Sequence, residues 1–162
     1  MRRRLGSAVL TLVAAALLVT SCAGSVNVAP PDLDGDSASA ALDACAQLTA
    51  ELPDRVVDQS SRSTTPDSPL TAAWGDPAIL LRCGVPRPAA LTATSQLVSV
   101  NDVDWFAEEL TAGYVFTTVG RSPSVEVTVP DDYAPEIAPV TELSVVVAAA
   151  TAEQEDQRVA SP

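Results

Sequence analysis

The chain has 162 residues, room for one modest domain that can bury a single core without a metal or several disulfides. Its formal net charge is −12, from 21 carboxylates against nine basic residues, and a field of that sign repels nucleic acid and anionic headgroups. There is no lysine and no histidine, which removes the Schiff-base amine, the usual general base near neutral pH and the commonest metal ligand.

Arg2, Arg3 and Arg4 precede an apolar run from Leu5 to Val19. This is the charged start and hydrophobic centre of a signal peptide, predicted over 1–21, and the run is shorter than the roughly 20 residues a spanning helix needs. Val19-Thr20-Ser21-Cys22 follows, an aliphatic residue, two small residues and a cysteine, and it resembles the lipobox of bacterial lipoproteins. The resemblance implies a diacylglycerol on the Cys22 sulfur, and two or more acyl chains hold a protein stably on a membrane. With the leader removed the chain loses three arginines and keeps every carboxylate, so the remainder is more acidic still.

Residues 22–37 read as the lipidated cysteine and a flexible tether, with Pro30, Pro31 and several small residues but no apolar period. Asp32-Leu33-Asp34-Gly35-Asp36 alternates carboxylates as a calcium loop does. Its glycine stands at the fourth position, though, and no glutamate at the twelfth, so a solvated acidic linker is the expectation.

The folded domain is predicted over 38–152, with 153–162 as a disordered tail. Ala38, Ala41, Leu42, Cys45, Leu48 and Leu52 recur at helical spacing behind Ser37 or Ser39 as cap, and Pro53 ends the helix. Residues 54–70 read as a short strand around Val56-Val57 and then a loop. Strands are expected at 71–74 and 78–83 across Gly75-Asp76-Pro77, at 97–100 and 103–106 across Asn101-Asp102, and at 113–119. Val125, Val127 and Val129 alternate with polar residues, marking a sheet with one buried face. Ile137, Val140, Leu143 and Val147 have helical spacing, although the β-branched run Val145 to Val147 disfavours a helix. The expected fold is α+β: an N-terminal helix, an antiparallel sheet of about five or six strands, and a C-terminal helix packed on one face.

Cys45 and Cys83 are the thiols left over in an exported chain, where such pairs normally join. Closing a loop of about 38 residues is worth about 4 kcal/mol on the chain-entropy model. A redox pair is disfavoured because the two lack the C-x-x-C spacing.

Ala73-Trp74-Gly75-Asp76-Pro77, Leu81-Arg82-Cys83-Gly84-Val85-Pro86-Arg87-Pro88, Val103-Asp104-Trp105-Phe106 and Val127-Thr128-Val129-Pro130-Asp131-Asp132-Tyr133 together resemble a family of uncharacterised actinobacterial lipoproteins and membrane-anchored secreted proteins. That resemblance spans about residues 38–145. It implies an envelope location and brings no activity with it.

Candidate partner-binding residues are Arg82 and Arg87, on a segment that Pro86 and Pro88 stiffen, and the aromatic pair Trp74 and Trp105, although large aromatics in strands more often belong to the core. Carboxylate pairs occur at Asp102/Asp104, Glu108/Glu109 and Asp131/Asp132. Hydrolysis needs two carboxyls in different environments, and neighbours in turns are usually both solvated. No G-x-S-x-G elbow, phosphate loop or triad histidine is present. The expectation is a membrane-anchored extracytoplasmic lipoprotein that is not an enzyme, needs no cofactor or metal, and serves as a binding or accessory module of the cell envelope. Its partners are membrane lipid through acylated Cys22 and an envelope protein. A small-ligand-binding lipoprotein is the alternative, and a carboxylate hydrolase ranks third.

Overall fold

The computed structural model describes residues 24–154. The leader, Cys22 and the tail beyond Gln154 lie outside the described residues. In chain order the elements are β1 (Val26–Asn27), α1 (Ala38–Glu51), β2 (Arg55–Val56), β3 (Gln59–Arg62), β4 (Thr64–Thr65), β5 (Thr71–Trp74), β6 (Ile79–Cys83) and β7 (Val98–Val100). There follow β8 (Val103–Leu110), β9 (Gly113–Val119), β10 (Arg121–Ser122), β11 (Val125–Val129), a 3-10 turn at Asp131–Tyr133, α2 (Ile137–Ala150) and β12 (Ala152–Glu153).

The architecture is α+β, two helices with an eight-stranded sheet of order β2-β3-β5-β6-β11-β9-β8-β7, in which every pair is antiparallel. Two short pairs stand beside it, β1 parallel to β4 and β10 antiparallel to β12. The sheet is larger than the expected five or six strands. Residues 54–70 supply the expected short strand at Val56 as β2, and beyond it β3, whose Gln-Ser-Ser-Arg sequence was expected to be loop and which forms a hairpin with β2. β8 also runs past Phe106 to Leu110, because β9 supplies a hydrogen-bonding partner for Glu108 and Glu109 that their own propensities do not announce.

Antiparallel partners share a face, so the register places Leu81, Val127 and Phe116 in one row. Ile79, Cys83, Val125, Val129 and Trp105 lie on the same face at two-residue steps, and all are buried in the core. α1 reaches this layer through the Cys45–Cys83 disulfide, and Leu48 is buried one turn on. Leu42, expected on the same stripe, is 42% exposed, so the buried strip of α1 is narrower than its sequence spacing implies. α2 reaches the layer through Val140, Leu143 and Val147, which are fully buried, and through Ser144, whose hydroxyl accepts a 3.0 Å hydrogen bond from the Trp105 indole. Truncating a leucine such as Leu143 at a site of this kind costs about 2–5 kcal/mol.

α2 forms despite Val145–Val147 and Pro139. Pro139 is the third helical residue, where the missing N–H would have had no intrahelical acceptor. Burial of the helix outweighs the small β-branched penalty.

The hairpin turns at opposite edges of the sheet both meet the middle of α2. Asn101, in the β7–β8 turn, donates its side-chain amide to Thr141 O at 3.1 Å, and Val57 N–H, in the β2–β3 turn, donates to Glu142 Oε2 at 3.0 Å. In a flat sheet the outermost of eight strands would lie about 34 Å apart, whereas a helix is only about 10 Å across. The sheet therefore curls round α2. Val57 takes φ +41, a left-handed conformation disfavoured for a β-branched residue, and is held there by that bond and by packing on the core.

Residues 24–37 are ordered against the domain, unlike the flexible tether expected from composition. β1 pairs with β4, Val28 is buried, and Leu33 packs on the core. Proline and small residues permit flexibility but do not compel it once an edge of sheet offers hydrogen bonds.

Candidate functional site

A cleft of 590 Å³ opens where the end of β6 and the loop after it meet the 31–37 segment, the first turn of α1 and residues 121–124. That volume falls within the range of small-molecule and peptide sites. Three arginines line it, Arg82, Arg87 and Arg121, with Asp32 and Asp34 on the facing segment.

Each arginine is held differently. Arg82 lies directly across from Glu126 in the β6–β11 register, and its guanidinium makes bonds of 2.7 and 2.8 Å to Glu126 Oε1. The pair is part-exposed, and such cross-strand ion pairs contribute well under 1 kcal/mol, so an incoming carboxylate competes with a weak partner. Arg87 is exposed, on the segment following Val85, whose buried side chain fixes the start of the loop. Arg121 is buried. It donates to the carbonyls of Ala148, Thr151 and Asp102 at 3.2, 3.0 and 2.9 Å and reaches Glu153 at 3.4 Å. Arg121 was not among the candidate residues. An arginine in a short polar stretch carries no sign of burial, because its acceptors are backbone carbonyls whose positions only the fold defines.

The disulfide joins Cys45 to Cys83, which lies in sequence between the cleft residues Arg82 and Gly84. Gly84 takes φ +91, and a Cβ there would collide with the Leu33 side chain and come within 3.8 Å of the Cys45 sulfur. Only glycine lets the ordered N-terminal segment close over the disulfide at this point.

The aromatic pair does not reach this surface. Trp74 is 1% and Trp105 0% exposed, and their indole N–H groups are spent on Pro53 O at 2.9 Å and Ser144 Oγ at 3.0 Å. Both belong to the core and are withdrawn as partner-binding residues. Large aromatics in a curled sheet bury more area inside than any surface platform returns.

The carboxylate pairs are no better placed for joint chemistry. Glu108 and Glu109 are successive residues of β8 and point to opposite faces. Asp131 and Asp132 are exposed on the 3-10 turn. Asp104 accepts a hydrogen bond from the Ser99 hydroxyl, and Asp102 lies in the β7–β8 turn at φ +62. Among the described residues, no group of three or more potential ligands is arranged to hold a metal ion. No described helix is long and apolar enough to cross a membrane.

The cleft is therefore a surface of mixed sign, in a domain of two helices and an eight-stranded sheet in which the Cys45–Cys83 disulfide joins α1 to β6. The chain belongs to the family described as Protein of unknown function (DUF3515), whose model matches residues 6–156. No curated protein matches it, and no solved structure matches it.

Proposed function

We propose that the chain is a membrane-anchored lipoprotein of the extracytoplasmic face, of actinobacterial type, acylated at Cys22, and that it is a non-catalytic cell-envelope module that binds a partner. The observation that carries the anchoring is the ordered succession of three arginines, an apolar run, two small residues and Cys22. The partner-binding reading rests on the cleft, where Arg82 and Arg87 present donors beside a stapled, glycine-dependent corner. Both helices lie on the buried concave side of the sheet in this reading, which rests on Cys45–Cys83 and on Trp105–Ser144. Binding surfaces are then left to the rim and the convex side.

A soluble ligand in the same cleft is the second reading, and the 590 Å³ volume is what favours it. Crosslinking in intact cells, with native protein and with Arg87→Glu, tests the first. The charge reversal should abolish capture of a protein partner while the fold is retained, since reversing a charge at a complementary interface can cost several kcal/mol. An unchanged set of crosslinked proteins removes Arg87 from the binding surface. Recovery of Cys22→Ser as membrane-bound mature protein removes the lipid anchor.

A further inference from the structure

The described residues begin at Gly24, two positions after Cys22. Arg62, on β3, donates through Nη2 to Gly24 O at 2.6 Å and through Nη1 to Gly75 O at 2.8 Å, and so ties the entering chain to the β5–β6 turn. Thr65 donates its hydroxyl to Ser25 at 2.7 Å. Val26 N–H and Val28 N–H then donate to Ser63 O and Thr65 O at 2.9 and 3.1 Å, and Val28 is 3% exposed. Every residue from Gly24 to Val28 except Asn27 is thus fixed by a hydrogen bond or by burial, and Asn27 is fixed by its register with Thr65.

From these contacts we infer that the domain rides directly on the bilayer surface, held by a stem of about two residues, with the corner formed by β1, β4 and the β3–β4 link facing the lipid headgroups. The inference rests on the acylation of Cys22 proposed above. Two residues span at most about 7 Å, so an acylated Cys22 keeps Gly24 within headgroup depth. A tether running freely to Ser37 would instead hold the domain about 20 Å away on average.

The strands of that corner carry little charge of their own. β3 and β4 contain no carboxylate in a chain that has 21, and their one charged side chain is Arg62. Ser25, Ser63, Thr65 and Pro66 are exposed there, small and neutral. Acid lies close by, with exposed Asp76 3.6 Å from Arg62 and exposed Asp67 next to Pro66, so it is the short stem and not charge that brings this corner to the headgroups.

The test uses the full-length acylated protein in phosphatidylcholine vesicles doped with a headgroup-quencher lipid, with a fluorophore on Ser63→Cys. A second form carries a twelve-residue Gly-Ser insert between Ala23 and Gly24. Mass spectrometry first establishes the acyl chains on Cys22. The Ser63 probe should be strongly quenched in the native form, and quenching should fall at least twofold with the insert. Acylated protein whose quenching is weak, or the same with and without the insert, overturns the short stem and leaves the lipoprotein reading standing. Protein without acyl chains on Cys22 overturns both.

Discussion

Replacing Arg121 with methionine should destabilise the domain more than any other substitution of a charged residue. The guanidinium is a fork whose Nη1 serves Ala148 O and Thr151 O and whose Nη2 serves Asp102 O and Glu153. It therefore closes the C-terminal end of α2, where carbonyls lack intrahelical partners and a cation is favoured, and joins it to the β7–β8 turn. Methionine keeps most of the buried stem but leaves three carbonyls without that donor. Hydrogen bonds to a charged group contribute about 1.5–3 kcal/mol each, and unequal access to water reduces the sum to about 3–5 kcal/mol. For a domain of this size that is a fall in Tm of about 10–15 °C. Arg121→Lys should lie between, since an ammonium is a point charge and cannot span both sets of acceptors. Thermal unfolding by circular dichroism measures the loss, and amide exchange at Thr151 and Gln154 reports whether the end of α2 frays first. A fall of less than about 3 °C for Arg121→Met would refute the argument that this buried cation bolts the helix to the sheet.

Cys45→Ser and Cys83→Ser should each lower stability by about 4 kcal/mol in urea titrations, and the double variant by little more, because both break one bond; clearly additive losses would contradict this. Gly113→Ala should give insoluble or unfolded protein on expression, because Gly113 takes φ +128 and a Cβ would overlap the Val129 carbonyl, a backbone atom unable to yield. Burial pushes the Tyr133 phenol above its ordinary 10.0, the bond to the Asp76 backbone opposes this, the Asp132 and Asp76 charges add to it, and Arg62 works against it. The folded state thus binds this proton more tightly than the unfolded chain. The resulting stability is fully present below pH 10 and is lost as pH rises through the folded value. Denaturant titrations from pH 8 to 11 should show a smaller alkaline loss in Tyr133→Phe. That variant should also forfeit about 1 kcal/mol at neutral pH with the 2.6 Å bond to Pro77 O.

Local pattern was enough to find α1, the strands from β5 to β9, β11, and the pairing of Cys45 with Cys83, because each is set by periodicity, by turn residues or by thiol count within a short window. Asn101-Asp102 is a clear case: both residues take positive φ, as the turn chemistry of those two side chains allows. α2 was legible in its 137, 140, 143 and 147 spacing even though Val145 to Val147 argued against it.

The remainder depends on contacts distant in sequence. β3 is polar and becomes a strand only because β5 offers an edge, while Glu142 captures Val57, in the turn before it, from 85 residues away. Trp74 and Trp105 are core, as large aromatics in strands more often are, but only the fold shows the acceptors, Pro53 O and Ser144 Oγ, that let their indoles be buried. Arg121 and Arg87 are indistinguishable as letters, one buried on backbone carbonyls and one exposed on a proline-stiffened loop. The segment after Cys22 has the composition of a tether and is docked by β4 and Arg62 instead. Side-chain type and spacing are properties of a few neighbouring residues, and the chain carries them wherever it goes. Burial, hydrogen-bond partners and the curl of the sheet round α2 belong to surfaces that exist only after residues tens of positions apart have met.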